Sequence, residues 1–525
     1  VKELKLHPGN YPDDWQPVLL HQFLLQYAQI SPDAIAIISA KGQWSYQDLS
    51  HYSYLYADIL DNCGLAHGDR VVLELEPSPQ AVALFAACSL LGLVFVPVSP
   101  ENPPERGEKI LEITEAKLHI RAISQEKNID KLHQRLQGFL EGNVLNIKGR
   151  LPKEVRSRKS SVIESDLAYI IFTSGTTGIP KGIMMTHRAA LVFFRALVNY
   201  CKLNSSARLG TIAPLQFDFS LLDISLTLGS GATLVKIPRQ LSLMPQKFLR
   251  YLDRYQVTQL NCVPSIWKVL LSYAAKDIAK LQHLHSTLFA GEPFAIADIL
   301  TLQSLLPQLR MINCFGQSES IACSFSEVPN PLSPDTKNLS IGFAHPGAEM
   351  LLLDEQKQEI KQPDQVGEIY LRGANLFSGY WRNPEATKKA LIPNPLNSLS
   401  GEKVFRTGDL AYKGSQGELY LVGRRDLQVK IMGNRVELAE IEGKLRAYPD
   451  INQVCAIAIN RQGNIRLAAF LSVEKNKTVP SAQEVRFFCK DLPHYMIPSE
   501  IYFVDNLPQT INGKIDRKAL ADSSE

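Results

Sequence analysis

The run Thr173-Ser174-Gly175-Thr176-Thr177-Gly178-Ile179-Pro180-Lys181-Gly182 gathers three glycines, four hydroxyls and one lysine into ten residues. Glycines let the backbone approach a ligand and turn successive N–H groups inward. Hydroxyls donate further hydrogen bonds and the lysine adds a point charge, a combination that suits a polyphosphate. The order is not that of a P-loop, which closes on Gly-Lys-Ser/Thr, because Pro180-Lys181-Gly182 ends the run here. A flexible surface turn is the plain alternative, but loops seldom place so many donors beside apolar strands.

Such a loop needs rigid flanks. Tyr169-Ile170-Ile171-Phe172 before it and Ile183-Met184-Met185 after it read as buried strands. Arg188 to Tyr200 then carries Leu191, Phe194 and Val198 at helical spacing, with Thr186 available as a cap. Upstream, Val71 to Leu75 reads as strand, Gln80 to Leu91 as helix and Val94 to Val98 as strand, the alternation that gives parallel sheets covered by helices. From Gly367 the texture shifts to short strands between turns, at 367–373 and 417–423. Beyond Asp426 lie a helix, 438–447, and strands at 453–459 and 466–471. The charged tetrapeptide Gly423-Arg424-Arg425-Asp426 separates two apolar-rich sections, so domains of 1–425 and 426–525 are expected.

With 525 residues the chain exceeds a single hydrophobic core. A formal net charge of +3 argues against a polyanionic partner such as nucleic acid, and the basic cluster between Lys148 and Lys159 reads as a solvated linker. The eight cysteines stand singly, with neither C-x-x-C nor metal-ligand spacing, which fits reduced thiols in a cytoplasmic protein. The apolar stretch from Ala81 to Val98 touches the lower limit for a bilayer span. Its Pro97, the absence of basic flanks and the polar Ser-Pro-Glu-Asn-Pro-Pro that follows favour a globular segment and no membrane.

Further motifs follow in order: Trp44 to Leu49, Leu91 to Arg106, Phe217-Asp218-Phe219-Ser220, Asn313-Cys314-Phe315-Gly316-Gln317-Ser318-Glu319, Tyr370 to Tyr380, Phe405 to Leu410, Gly423 to Glu442 and Asn512-Gly513-Lys514-Ile515-Asp516. Together with the loop they closely resemble the core motifs of the adenylate-forming superfamily, which includes acyl-CoA ligases and luciferase. Within it they resemble the amino-acid-activating adenylation domains of non-ribosomal peptide synthetases. The resemblance implies an α/β multidomain fold: a large N-terminal domain of two αβ subdomains plus a β-barrel, and a small mobile α+β C-terminal domain. It implies that a carboxylate attacks the α-phosphate of ATP, pyrophosphate leaves, and a thiol captures the acyl-adenylate.

By that resemblance, Thr173, Ser174, Gly175, Thr176, Thr177, Gly178 and Lys181 hold the β- and γ-phosphates. Asn313 and Phe315 meet adenine, Asp409 and Arg424 the ribose, and Ser318 also belongs to the nucleotide site. Glu319 matches the Mg2+ ligand, and a hard cation beside phosphates does favour carboxylate oxygen. Lys514 matches the mobile lysine that bridges the substrate carboxylate and the α-phosphate, and Asp426 matches the hinge. Lys430 to Arg435 would swing in to shape the thiol tunnel. Gln317 and Ser318 stand where proline and threonine are common in peptide synthetases, and glutamine there is more usual in acyl-CoA ligases.

Asp218 carries the substrate class, because an acid at this place is what α-amino-acid activators set against the substrate ammonium. A buried carboxylate is tolerable with such a partner. On local sequence alone it could instead cap the helix that follows. Phe219, Leu222, Asn261, Leu288, Ala290, Cys314, Ala322 and Cys323 match the remaining pocket positions. That lining is compact and apolar, with no second charge. The set resembles that of stand-alone prolyl-adenylating enzymes of secondary metabolism, departing at Asn261, Cys314 and Ala322. L-proline is therefore the expected substrate, with D-alanine, another small amino acid or an acyl-CoA ligase activity as alternatives. No Leu-Gly-Gly-Asp/His-Ser motif follows Lys514, so a phosphopantetheine-bearing carrier protein is expected in trans.

Overall fold

The computed structural model describes residues 16–40, 42–123, 136–149, 161–175, 180–426, 428–461, 464–474, 477–509 and 515–523. Thr176, Thr177, Gly178 and Lys514 lie outside the described residues.

The first sheet is the αβ layer the alternation predicts. Strands Arg70–Glu74, Val94–Val98, Leu118–Ala122 and Leu167–Thr173 run parallel at its centre. The stretch from Ala81 to Val98 resolves into helix Pro79–Leu90, a turn at Gly92 and strand Val94–Val98. That helix starts where the Ser78 hydroxyl accepts the Ala81 N–H and Pro79 presets the first turn. It is buried along almost its whole length, which explains why its sequence is apolar all round. Among the described residues no helix is long and apolar enough to cross a membrane.

The second sheet has six adjacent parallel strands, in the order Ile35–Ser39, Thr233–Lys236, Arg208–Thr211, Gln259–Cys262, Ser286–Ala290 and Arg310–Phe315. Loops at the carboxyl ends of such strands are where α/β sheets bind ligands. Beyond Arg310–Phe315 the pairing turns antiparallel through Ser324–Glu327 and Ser340–Ala344. It then continues into Leu419–Arg424, Lys403–Lys413, Val366–Gly373 and Ala348–Leu353. The β-rich section expected as a barrel is therefore hydrogen-bonded continuously to the second sheet.

The smaller C-terminal domain begins with the hairpin Gln428–Ile431/Asn434–Glu437, followed by helix Leu438–Arg446. Its three-stranded sheet pairs Ile451–Arg461 antiparallel with Asn464–Val473, which runs parallel to Glu500–Phe503. Leu438, Ile441 and Leu445, spaced three and four apart, bury one helix face in a core shared with Val454, Ala456, Leu467, Ala469 and Leu471 of the sheet.

Candidate active site

Strand Leu167–Thr173 returns antiparallel as Lys181–Thr186, with Thr173 opposite Lys181, so Ser174 and Gly175 stand at the end of a hairpin rooted in the first sheet. Its described donors face the C-terminal domain. The Ser174 hydroxyl donates to the Arg435 carbonyl at 2.7 Å and accepts the Glu437 N–H at 3.2 Å. The Gly175 N–H donates to Glu440 Oε2 at 3.1 Å, and Arg106 holds Glu440 Oε1 at 3.0 Å in a buried ion pair. Lys181 Nζ lies 3.9 Å from Glu437 Oε1.

A cavity opens between the two domains. Phe172 to Ser174 from the first sheet, Asp218, Phe219 and Leu222 from helix Asp218–Ser230, and Lys430 to Arg435, apart from Ile431, from the C-terminal hairpin form parts of its wall. Two glycines permit the close approaches. A Cβ on Gly316 would sit 2.3 Å from Ala322 Cα, so the turn after strand Arg310–Phe315 cannot carry a side chain there. Gly433, with φ +75°, seats the hairpin tip against Val263 and donates its N–H to Glu292 Oε1 at 2.7 Å.

Asp218 occupies the first turn of its helix, while Phe217 is the cap residue, so its carboxylate is not spent as a side-chain cap. Burial raises the Asp218 carboxyl above the usual range, against opposing effects from the Ser318 hydroxyl and the Lys430 ammonium. Burial likewise raises Asp409, although Arg424 Nη1 donates to its Oδ1 at 2.5 Å and Gln317 Nε2 donates to Oδ2. Burial lowers the Lys430 ammonium, which Asp409 and Asp218 partly restore. Glu319 behaves differently. Burial alone would raise it, yet the Arg435 guanidinium, with Nη1 2.8 Å from both carboxylate oxygens, and the Tyr380 hydroxyl at 2.7 Å hold it below the usual range.

Phe219, Leu222, Ala290, Cys314, Ala322 and Ser318 all line the cavity with Asp218. Asn261 does not. Side chains alternate along a strand, and on Gln259–Cys262 the Asn261 amide points beneath the helix, donating to Asp223 Oδ1 at 2.8 Å. Cys262, Val263, Ser265 and Ile266, just past it in the chain, form that part of the wall instead. Leu288 lies two residues before Ala290 on one strand, fully buried and a layer too deep to reach the cavity. Cys323 turns its thiol toward the Phe315 carbonyl and the Met350 sulfur, away from the lining.

Asn313 is engaged with the Ser340 carbonyl at 3.0 Å, and Phe315 ends the same strand, partly exposed. Arg424 lines the cavity and grips Asp426 through two nitrogens, Nε at 2.7 Å and Nη2 at 2.9 Å. Sequence reasoning does not single out Tyr380 or Glu440, and it names Arg435 for the thiol tunnel and not as a partner of Glu319. Their partners lie far away in the chain, and their only local signal is a place inside motifs already noted.

The residues fit the nucleotide and its metal. Gln317 Oε1 is a buried acceptor without a partner among the described residues, beside Asp409, a place for a hydroxyl or amine donor. No group of three His, Cys, Asp or Glu side chains that could hold a metal ion occurs among the described residues. The Glu319 carboxylate is a hard oxygen donor of the kind Mg2+ takes beside phosphate and water.

The fold and this site define the class. The chain matches the model of the AMP-binding enzyme family over residues 24–381 and that of the AMP-binding enzyme C-terminal domain over 440–514. It belongs to the AMP-binding enzyme family. Among characterised relatives it is 32% identical over 516 residues to a linear gramicidin synthase of Brevibacillus parabrevis, covering 97% of this chain and 10% of that protein. The chain thus spans only a small part of the long synthetases it matches. It is 28% identical over 516 residues to the L-proline--(L-prolyl-carrier protein) ligase of Pseudomonas fluorescens, covering 96% of this chain and 99% of that one. The crystal structure of IdnL1 superposes with a TM-score of 0.86 at 40% identity, over 94% of this chain and 100% of that one.

Proposed function

We propose that this chain joins an amino acid to ATP as an aminoacyl-adenylate, releasing pyrophosphate. It then passes the aminoacyl group to the phosphopantetheine thiol of a separate carrier protein, releasing AMP. The observation that carries this reading is Asp218, a half-buried carboxylate that lines the cavity with Phe219, Leu222, Ala290 and Cys314, beside the phosphate loop. Such a group is stable only against a cation, and the ammonium of an amino acid supplies one. The two relatives named above, a peptide synthetase and a carrier-protein ligase, support the same class.

In this reading the amino-acid carboxylate attacks the α-phosphate, and Lys514 bridges the two as charge builds. Ser174, Gly175 and Lys181 grip the leaving pyrophosphate, and Asp409 with Arg424 orients the ribose. Mg2+ held through Glu319 would offset charge on the phosphates. Residues 1–425 form the core and 426–525 turn about Asp426 between the two steps. Lys430 to Arg435 then shape the thiol's path. The eight cysteines are free and buried, in keeping with a cytoplasmic setting.

For the amino acid we propose L-proline, on the compact pocket of Leu222, Ala290, Cys314 and Ala322 and on the proline ligase among the relatives. Amino-acid-dependent exchange of pyrophosphate into ATP, measured across the twenty amino acids, D-alanine and a fatty acid, tests both levels. Exchange is expected to be greatest with L-proline. No exchange with any amino acid would sink the class, and exchange with D-alanine alone would replace proline.

A further inference from the structure

Ile321 and Ala322 line the cavity from a turn whose backbone is strained. The Ala322 N–H donates to the Ser320 carbonyl at 2.8 Å around Ile321, whose φ is +64°. That is a γ-turn of the rare positive-φ kind, with a β-branched residue at its centre where such a residue is an outlier. Conformations of this sort persist only where the surroundings over-determine them, and they gather at ligand clamps. Here one side chain reaches both ends of the turn. Asn375 Nδ2 donates to the Ser320 carbonyl at 3.3 Å and to the Ala322 carbonyl at 3.2 Å, the peptide oxygens on either side of Ile321. Asn375 is itself fixed. The Ala374 N–H donates to the Gly347 carbonyl at 3.1 Å and the Phe377 N–H to the Glu319 carbonyl at 2.8 Å, which pins the chain before and after it. His345 sets the way the amide faces, with Nδ1 2.9 Å from the Pro346 carbonyl and Nε2 3.3 Å from Asn375 Nδ2. Burial lowers His345 against the pull of the Pro346 and Ala322 carbonyls, so the ring is neutral. The Pro346 carbonyl then assigns the proton to Nδ1 and leaves Nε2 as an acceptor. Asn375 Oδ1 has no partner among the described residues, and a flipped amide would set that oxygen against three acceptors.

We propose that Asn375 is a positioning residue for amino-acid selection: oriented by His345, it holds the Ser320-Ile321-Ala322 turn in its strained form and so fixes the wall that Ile321 and Ala322 present to the substrate side chain. The proposal rests on reading the Asp218 cavity as the amino-acid pocket, and adds to that reading the group that sets the pocket's size. Asn375 lies buried behind the wall. Without its two hydrogen bonds Ile321 is free to return to negative φ, the sign its branched side chain prefers, and the wall moves with it. A pocket discriminates one methylene by close fit, so a loosened wall loses selectivity first. The metal side of the same turn is held separately. Glu319 is fixed by the Arg435 guanidinium, the Tyr380 hydroxyl at 2.7 Å and the Phe377 N–H, none of which acts through the Asn375 side chain. Loss of the Asn375 amide is therefore felt in the choice of amino acid, with the metal acid left in place.

The test is amino-acid-dependent exchange of pyrophosphate into ATP by the full chain, with L-proline and its homologue one methylene larger, L-pipecolate. Should the wild type favour another amino acid, that acid and its next larger homologue take the places of the two probes. Wild type is compared with Asn375→Ala, His345→Leu and His345→Gln, where glutamine keeps a donor for Pro346 and an acceptor for Asn375. Asn375→Ala is expected to raise the L-proline KM by about tenfold and to cut the preference over L-pipecolate by about as much, the worth of one methylene in a close-fitting pocket. The KM for MgATP is expected to stay at the wild-type value. His345→Leu should move both amino-acid readouts the same way by a smaller factor, and His345→Gln should restore them. An unchanged L-proline KM and preference in folded Asn375→Ala would overturn the proposal. So would an equal rise in the KM for MgATP, the mark of a general loosening. If Asn375→Ala does not fold, the His345 variants decide, and wild-type preference in His345→Leu, or the same loss in both, overturns it. No exchange with any amino acid in the wild type would remove the pocket reading itself, and the positioning role with it.

Discussion

Asp218, half-buried, and Glu319, buried, are acids of one site, and their carboxyls move in opposite directions. Asp218 is raised by burial against the Ser318 hydroxyl, a shared and itself buried lysine, and the Phe219 N–H. Glu319 is lowered because a guanidinium lies on it and a phenol donates to it. The difference is one of who supplies the cation. Glu319 receives a guanidinium of its own from the C-terminal domain, whereas Asp218 shares that domain's Lys430 ammonium with Asp409 and is left with a deficit that a substrate ammonium can fill. Acids of one site whose environments push them apart in this way take different roles.

The strongest way to break this comparison is to remove cations and acids one at a time. Lys514→Ala should cut adenylate formation by about two to three orders of magnitude, the worth of a preorganised cation at a developing charge, while ATP binding persists. Wild-type pyrophosphate exchange in that variant would remove Lys514 from the reaction. Asp218→Ala leaves the substrate ammonium buried without a partner, which costs about 3 kcal/mol or roughly a hundredfold in amino-acid-dependent exchange. Magnesium pyrophosphate affinity should stay at the wild-type value, and a matching loss there would mean that Asp218 supports the whole site. Asp426→Pro should spare exchange and slow thiol transfer by about tenfold, since a fixed φ at a hinge hampers one arrangement more than the other. Equal loss in both steps would argue against a hinge at Asp426.

How far the sequence carries depends on how far apart the partners lie. The hairpin around the phosphate loop is legible because Tyr169 to Phe172 and Ile183 to Met185 are apolar runs adjoining a run of glycines and hydroxyls. Helix His187–Cys201 is legible for a similar local reason, and Thr186 does cap it through the Ala189 N–H. Asn261 is misplaced by sequence reasoning because a step of one residue along a strand sends the side chain to the other face. Glu319 with Arg435 and Gly175 with Glu440 are out of reach. These partners are separated by 116 and 265 positions, and no periodicity in either segment encodes the other.

A third acid, fully buried, sharpens the comparison with the smallest effect. Asp223 lies just over one helical turn beyond Asp218 and is hydrogen-bonded by neutral donors, the Thr211 hydroxyl at 2.5 Å and the Asn261 amide at 2.8 Å. Lys236 acts on it weakly, and the thiols of Cys201 and Cys262 are nearby. Burial pushes its carboxyl up to about 7 from 3.8, with the two hydrogen bonds opposing. The native state therefore holds a proton that the unfolded state has lost between about pH 4 and about pH 7, and the stability this acid contributes falls as pH rises through that window. Asp223→Asn keeps both hydrogen bonds once the Thr211 hydroxyl reverses, and it does not titrate. The variant should gain on the wild type steadily from pH 4 to pH 7, by at most about 4 kcal/mol at 1.36 kcal/mol per pH unit. Denaturant midpoints across that range give the difference. A gap that does not change with pH would mean that Asp223 is ionised throughout, and that a buried acid beside this pocket needs no cation after all.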